Sequence, residues 1–403
     1  MTNAHQPSLR FNRMELAGSL GDLGTLLPIA MGMILINGLN PTGVLVSIGA
    51  FYILSGLYFG LTVPVQPMKV IGAYALATAL SPDQITAAGL IMGAALLIVG
   101  ATNIITLIGR LIPKPVIRGV QLSTGILLMS QGVKLMLGTS QFQVLQQASE
   151  PFLRVQQIGP LSIGIILALA GGLLTLWLLE NRTFPAGLIT VLGGMAAGLM
   201  LGPHTGLDAV RIGFHPPALL PFGWPTGADF SFALLALVVP QLPMTVGNAV
   251  VANADLSQEY FGHLSHRVTY RGLTLSMGLA NIACSALGGM PLCHGAGGLA
   301  AHYRFGARTA GSNLMIGTLF ILMGIFFGRH ALVFLHLLPM AVLGVLLVFA
   351  GSQLAMTIMD LQTRKEIFVC LLIVGITLAS NLAAGFLVGT AVAYALRSEK
   401  FKI

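Results

Sequence analysis

"PLCHGAGGLAAHYRFG", Pro291 to Gly306, interrupts the long apolar runs of a 403-residue chain with glycines, two histidines and a Cys-His pair. Gly295 to Ala300 fits the G-x-G-x-x-G/A dinucleotide fingerprint. The context does not. That fingerprint needs a βαβ unit and a downstream acid for the ribose, and no Asp or Glu lies between Glu259 and Asp360. Cys293-His294 is one adjacent pair without a second pair at ligand spacing, so no metal is expected. What the glycines share with nucleotide loops is one mechanism: they let a small anion reach bare N–H groups at a helix N-terminus.

The surrounding chain defines the class. It is 55% hydrophobic and 8% charged, with a mean hydropathy of +0.88. A soluble protein carries about 25% charged residues. The apolar runs are long and continuous, as in Leu314–Phe327, which points to helices rather than a barrel. With roughly 20 residues per span, the chain reads as about fourteen segments, several short or broken. Three scattered cysteines give no disulfide framework. The net charge of +8 is read as the positive-inside rule, not as nucleic-acid binding. Arg10 and Arg13, Arg110, Lys114 and Arg118, Arg182, Arg267 and Arg271, Arg304 and Arg308, Arg364 and Lys365, and Arg397, Lys400 and Lys402 all fall on one side. The opposite loops, Thr139–Gly159 and Gly202–Asp229, hold only Arg154 and Arg211. Both termini are expected to be cytoplasmic. Met1–Arg13 has no signal-peptide core, so the first apolar segment is expected to remain.

The chain also repeats itself weakly. "VPVQPMK" (Val63–Lys69) resembles "MPLCHGA" (Met290–Ala296), and "GDLGT" (Gly21–Thr25) resembles "PQLPM" (Pro240–Met244). "IPKPVIRGVQLSTG" (Ile112–Gly125) resembles "LPMAVLGVLLVFAG" (Leu338–Gly351). The matches keep their order, and seven spans per half require the second copy to be inverted. Inverted repeats with Pro/Gly-broken spans point to a transporter site at the midplane.

Four stretches carry the polar groups. Asp22, in "GSLGDLGTLLP", is the one acid well inside an apolar segment, and such a charge marks function by default. Two roles compete for it, carrying a coupling proton or pairing with Lys69; a helix-end acid near the interface is the plain alternative. In "LTVPVQPMKVIGAYA", Pro64 and Pro67 predict an extended approach and a half-helix starting near Met68. Gln66 precedes that start and Lys69 occupies its first turn, where a cation opposes the helix dipole unless an anion is close; otherwise Lys69 snorkels to the interface. In "VVPQLPMTVGNAVVAN", Gln241, Thr245 and Asn248 recur on one helical face, for the site or for helix–helix hydrogen bonds. The opening stretch repeats the second, with a half-helix from about Gly295. Two facing half-helix starts plus Lys69 suit a small, doubly charged oxyanion.

At "PVQPMK" (Pro64–Lys69) and "MPLCHGAGGLAAHYRFGAR" (Met290–Arg308) the chain resembles the molybdate transporters of plants and microbes, a branch of the sulfate-permease superfamily. The resemblance runs along nearly the whole chain. It departs at Thr62, where a proline usually precedes the first motif, and at Leu287, where an aromatic usually opens the second. It implies an all-α polytopic membrane protein: a seven-plus-seven inverted repeat with core and gate domains and two half-helix spans preceded by short strands. The core would hold spans 1–4 and 8–11, the gate the others. The domain limits are 1–14 (cytoplasmic), 15–203 (first repeat), 204–229 (extracytoplasmic loop), 230–396 (second repeat) and 397–403 (cytoplasmic), with no STAS domain expected.

The expected function is secondary, ion-coupled import of molybdate, with tungstate or sulfate as related tetrahedral oxyanions, across the inner or plasma membrane. No enzymatic activity and no cofactor are expected. The expected anion contacts are Gly24, Thr25, Gln66, Met68, Lys69, Gln241, Thr245, His294, Gly295, Ala296 and Gly297, with Asp22 as the coupling group for a proton. The partners are the oxyanion, membrane lipid and a second copy in a homodimer, with no nucleic acid. A sulfate transporter, a nucleobase carrier and an anion channel of the same fold are the alternatives. Nucleobase carriers of this fold place a carboxylate where Gln241 stands.

Overall fold

The computed structural model describes residues 9–102, 104, 112–181, 184–203 and 210–397. Arg110, Arg182, Lys400 and Lys402, used above to orient the chain, lie outside them, as do parts of the domain limits (1–8, 204–209 and 398–403).

The first apolar segment is broken. Helix α1 (Arg13–Leu20) and helix α2 (Leu23–Leu35) meet at 49°, and Asp22 is the residue at the bend. Helix α3 (Pro41–Phe59) starts with Pro41 at its first turn and the Asn40 side chain capping the Gly43 amide, an arrangement that fills orphan donors of the helix start. It ends at Gly60 in the left-handed region, φ 75°, where glycine costs no strain.

The extended approach then runs to strand β1 (Gln66–Pro67) and half-helix α4 (Lys69–Thr78). Helices α5 (Pro82–Thr102) and α6 (Lys114–Leu137) follow. A small hairpin of β2 (Gln157–Ile158) and β3 (Leu161–Ser162) precedes α7 (Ile163–Leu178) and α8 (Ala186–Leu201). The second half opens with a long helix, α9 (Gly227–Ser265), α-helical with π-helical stretches. Then come α10 (Tyr270–Ala286), strand β4 (Leu292–Cys293), half-helix α11 (Ala296–Arg304) and α12 (Ala310–Phe327). Helices α13 (Met340–Ala355), α14 (Arg364–Ala379) and α15 (Leu382–Ala395) complete the described chain. Among the described residues, six helices are long and apolar enough to cross a membrane, or seven counting α1–α2 as one. The count of about fourteen expected from hydropathy includes shorter helices that fall below that length, α4 and α11 among them.

The two short strands find each other. β1 and β4 pair antiparallel, Gln66 opposite Cys293 and Pro67 opposite Leu292. Strand geometry begins later than "LTVPV" suggested, because two asparagines hold the approaches in place of a partner strand. Asn313 accepts from the Val63 amide at 3.1 Å and donates to the Val63 carbonyl at 2.7 Å. Asn281 does the same for Leu292, at 2.9 and 2.8 Å. Both are fully buried. Backbone groups inside an apolar protein must be paired, and these amide side chains do that where no strand reaches.

Helix packing exchanges partners between the halves. α3 packs on α12, and α5 on α10; α6 packs on α13, with α14 against α6 and α7 against α13. The α6–α13 contact is backbone-close. A Cβ at Gly125 would stand 2.5 Å from the Gly351 carbonyl, and one at Gly132 the same distance from the Gly344 carbonyl. Small residues let membrane helices approach this closely. Pro113 and Pro339, matched in the repeat, are the N-cap residues of these two helices.

Candidate anion site

Both half-helices begin where the sequence placed them, with Met68 and Gly295 as N-cap residues. Their starts are not equivalent. Gln241 Oε1 accepts from the Val70 and Ile71 amides at 3.0 and 3.3 Å, and the Met68 amide bonds the Pro291 carbonyl at 2.9 Å. Among the described residues, only the Lys69 amide on α4 is left without an acceptor. On α11 the Ala296 and Gly297 amides have none among the same residues. Three open N–H groups at facing helix starts attract negative charge.

A cavity of about 320 Å³ opens there, lined by Asp22, Gly24, Thr25, Gln66, Lys69 and Gly297 on one wall. Leu346, Ala350 and Gln353 of α13 and the α7–α8 region form the other. Asp22 is the one acid in this lining; Lys69 and Arg304 are its bases. The walls touch where α2 passes α8: a Cβ on Gly187 would collide with the Gly24 backbone. A larger cavity of about 560 Å³ between α3 and α10 is walled by apolar side chains such as Phe51, Leu54 and Leu279. It offers no charge to an anion.

Asp22 and Lys69 form no ion pair among the described residues. Asp22 Oδ1 accepts from Gln66 Nε2 at 2.7 Å instead, so permanent pairing with Lys69 is not what the structure contains. Gly24, Thr25, Gln66, Lys69 and Gly297 come together at the cavity with Asp22. Gly295 and Ala296 stand behind Gly297 in the turn. Met68 is buried, and its amide is used in the backbone.

His294, Gln241 and Thr245 are elsewhere. The His294 ring lies outside the cavity lining: Nδ1 pairs with the Pro64 carbonyl at 2.8 Å and Nε2 with Ser276 Oγ at 2.6 Å, between Phe51 and Phe59. It ties the first approach to the second half-helix, which accounts for a histidine at that entry. Gln241 acts through α4, and its Nε2 donates to Thr245 Oγ1 at 3.0 Å. Among the described residues, Asn248 makes no hydrogen bond with this pair. The chain is π-helical over Thr245–Ala252, and Asn248 lines a second cavity. Sequence reasoning did not single out Gln121, Gln353 or Thr357, which line these cavities from the opposite wall.

The fold is one that solved membrane transporters share. The transmembrane domain of a cyanobacterial bicarbonate transporter, BicA, superposes with a TM-score of 0.63 at 16% identity, covering 94% of this chain and 97% of that one. Murine Solute Carrier 26 family member A9, an anion transporter in its inward-facing state, gives 0.69 at 14% identity, covering 98% and 69%. At such identities the likeness is one of fold. Sequence goes further. The pattern of the family described as "Molybdate transporter of MFS superfamily" matches residues 14–128 and 233–354. Molybdate transporter 2 of Arabidopsis thaliana is 32% identical over 401 residues, 92% of this chain and 84% of that protein. Molybdate transporter 1 of Chlamydomonas reinhardtii is 31% identical over 468 residues, 93% and 89%. The chain belongs to the molybdate transporter family, a family of membrane transporters and not of enzymes.

Proposed function

We propose that this protein carries molybdate across a membrane, binding the anion between Lys69 and the first turn of α11. The observation that carries this reading is the convergence, in one cavity, of the Lys69 side chain, Thr25 and the start of α11, with the Lys69, Ala296 and Gly297 amides unpaired. A tetrahedral oxyanion presents acceptors in every direction, and this wall offers donors. Gln241 supports the half-helix start without adding charge. A carboxylate there would accept the same amides but repel the substrate.

The exchanged packing partners and the paired half-helices support fourteen spans in a seven-plus-seven inverted repeat. In that reading the core holds α1–α5 and α9–α12, and the gate holds α6–α8 and α13–α15. The Gly24–Gly187 contact then lies between core and gate, where two glycine backbones slide with little to interlock. In the same reading Arg118, Arg304, Arg364 and both termini are cytoplasmic by the positive-inside rule. The cavity reaches Arg304 on that side. Coupling to a proton through Asp22 completes the reading.

Uptake of labelled molybdate into proteoliposomes tests it. Molybdate should accumulate against its gradient and tungstate should compete, with sulfate competition reporting selectivity. Entry of uracil without molybdate would overturn the reading in favour of a nucleobase carrier, and conduction without accumulation in favour of a channel.

A further inference from the structure

A second cavity of about 160 Å³ adjoins the first and shares Thr25, Lys69, Gly297, Ala350 and Gln353 with it. Its far end is lined by Gln121 of α6 and by Thr357. Gln121 is only 3% exposed. Its Oε1 accepts from Arg118 at 2.7 Å and lies 3.0 Å from Thr357 Oγ1. A guanidinium can only donate, so the oxygen of Gln121 must face Arg118. The amide nitrogen therefore faces away, and among the described residues it donates to no protein group. Arg118 is itself held by Asp360 through two bonds of 2.9 and 2.6 Å. Lys114 also pairs with Asp360, at 3.0 Å, so the one acid nearby is neutralised.

The second cavity is therefore lined by Gln121 with its amide nitrogen free to donate, by Asn248 and by Lys69 at the shared wall, with no lining acid. Leu128, Met244 and Leu354 complete it with apolar surface, which strengthens polar interactions made there. We propose that this cavity is a second oxyanion subsite, with Gln121 as its donor, which receives the anion from the first site before release. This rests on the transport function proposed above. Lys69 and Gln353 border both cavities, so the anion passes between them without leaving the reach of the lysine.

Tungstate is the probe, because its metal scatters anomalously. Crystals of the whole protein soaked in tungstate should show one peak between Lys69 and Gly297 and a second within hydrogen-bond reach of Gln121. In Gln121→Leu the second peak should vanish and the first remain. A single peak at Lys69 under saturating tungstate would overturn the subsite and leave the transport function standing; no peak at either place would remove both. In proteoliposomes, Gln121→Leu should lower molybdate turnover about tenfold with KM within about twofold, and unchanged turnover would contradict the proposal. Should the variant not fold, the wild-type map decides alone.

Discussion

Gln66 Nε2 donates to Asp22 Oδ1 at 2.7 Å, while the other carboxylate oxygen, equally buried, has no partner. The Gln66 Oε1 beside them is unpaired too. An unsatisfied buried acceptor costs about 1–3 kcal/mol. A proton on Asp22 would turn one orphan acceptor into a donor, next to the anion cavity. Asp22→Asn keeps an oxygen for Gln66 and removes the titration. It should retain molybdate exchange and lose accumulation driven by a proton gradient, both read in proteoliposomes. Full proton-driven accumulation in this variant would take the coupling role away from Asp22.

Gln241 has a separable structural duty. Gln241→Leu strands the Val70 and Ile71 amides and should destabilise the protein by about 1–3 kcal/mol, seen as a lower thermal midpoint. Gln241→Glu keeps the acceptor and should keep the midpoint, yet weaken molybdate binding about tenfold, or about 1.4 kcal/mol, through the charge placed behind the site. Equal affinity of Gln241→Glu and wild type would mean that the anion does not feel this helix end.

Neighbouring glycines of the opening motif should fail differently. A Cβ at Gly297 meets nothing within 4 Å and would project into open space beside unpaired amides. Gly297→Ala should fold normally and bind molybdate about tenfold more weakly, a loss of about 1.4 kcal/mol. A Cβ at Gly298 would stand 2.6 Å from Asp22 Oδ2 and 2.8 Å from Pro64 Cβ. Gly298→Ala should cost stability by overpacking, about 1–3 kcal/mol. Calorimetry and thermal melts on the pair separate the two effects.

Away from the site, Glu150 accepts from the Met340 and Ala341 amides, both at 2.8 Å, at the start of α13. Burial pushes its carboxyl up to about 7 from 4.5, opposed by those two bonds. A group whose pKa rises on folding favours the fold most below its unfolded value. Its contribution is therefore complete below 4.5 and declines as the pH rises through about 7. Glu150→Gln should flatten the thermal midpoint across that window, measured against wild type at each pH. An unchanged pH profile would mean that Glu150 does not titrate there.

The half-helix starts were legible because prolines and glycines punctuate the backbone locally: Pro64, Pro67 and Pro291 admit few conformations. Asp22 was legible because a carboxylate inside an apolar run has few explanations. The roles of Gln241 and His294 were not. Both lie where a ligand group would, and only the packing shows that one caps α4 and the other clamps Pro64 to Ser276. The i, i+4, i+7 spacing that grouped Asn248 with Gln241 assumed an α-helix, and the chain is π-helical over Thr245–Ala252. Gln121 and Gln353 carried no signal. A lone glutamine on a membrane helix reads as a helix–helix contact until the opposing wall is known.

Lys69 is the test of the whole site. Titration of the purified protein with molybdate should give saturable binding that tungstate displaces, and Lys69→Ala should weaken it about a hundredfold, or about 2.8 kcal/mol, with the thermal midpoint preserved. Wild-type affinity in a folded Lys69→Ala protein would contradict an anion held between α4 and α11.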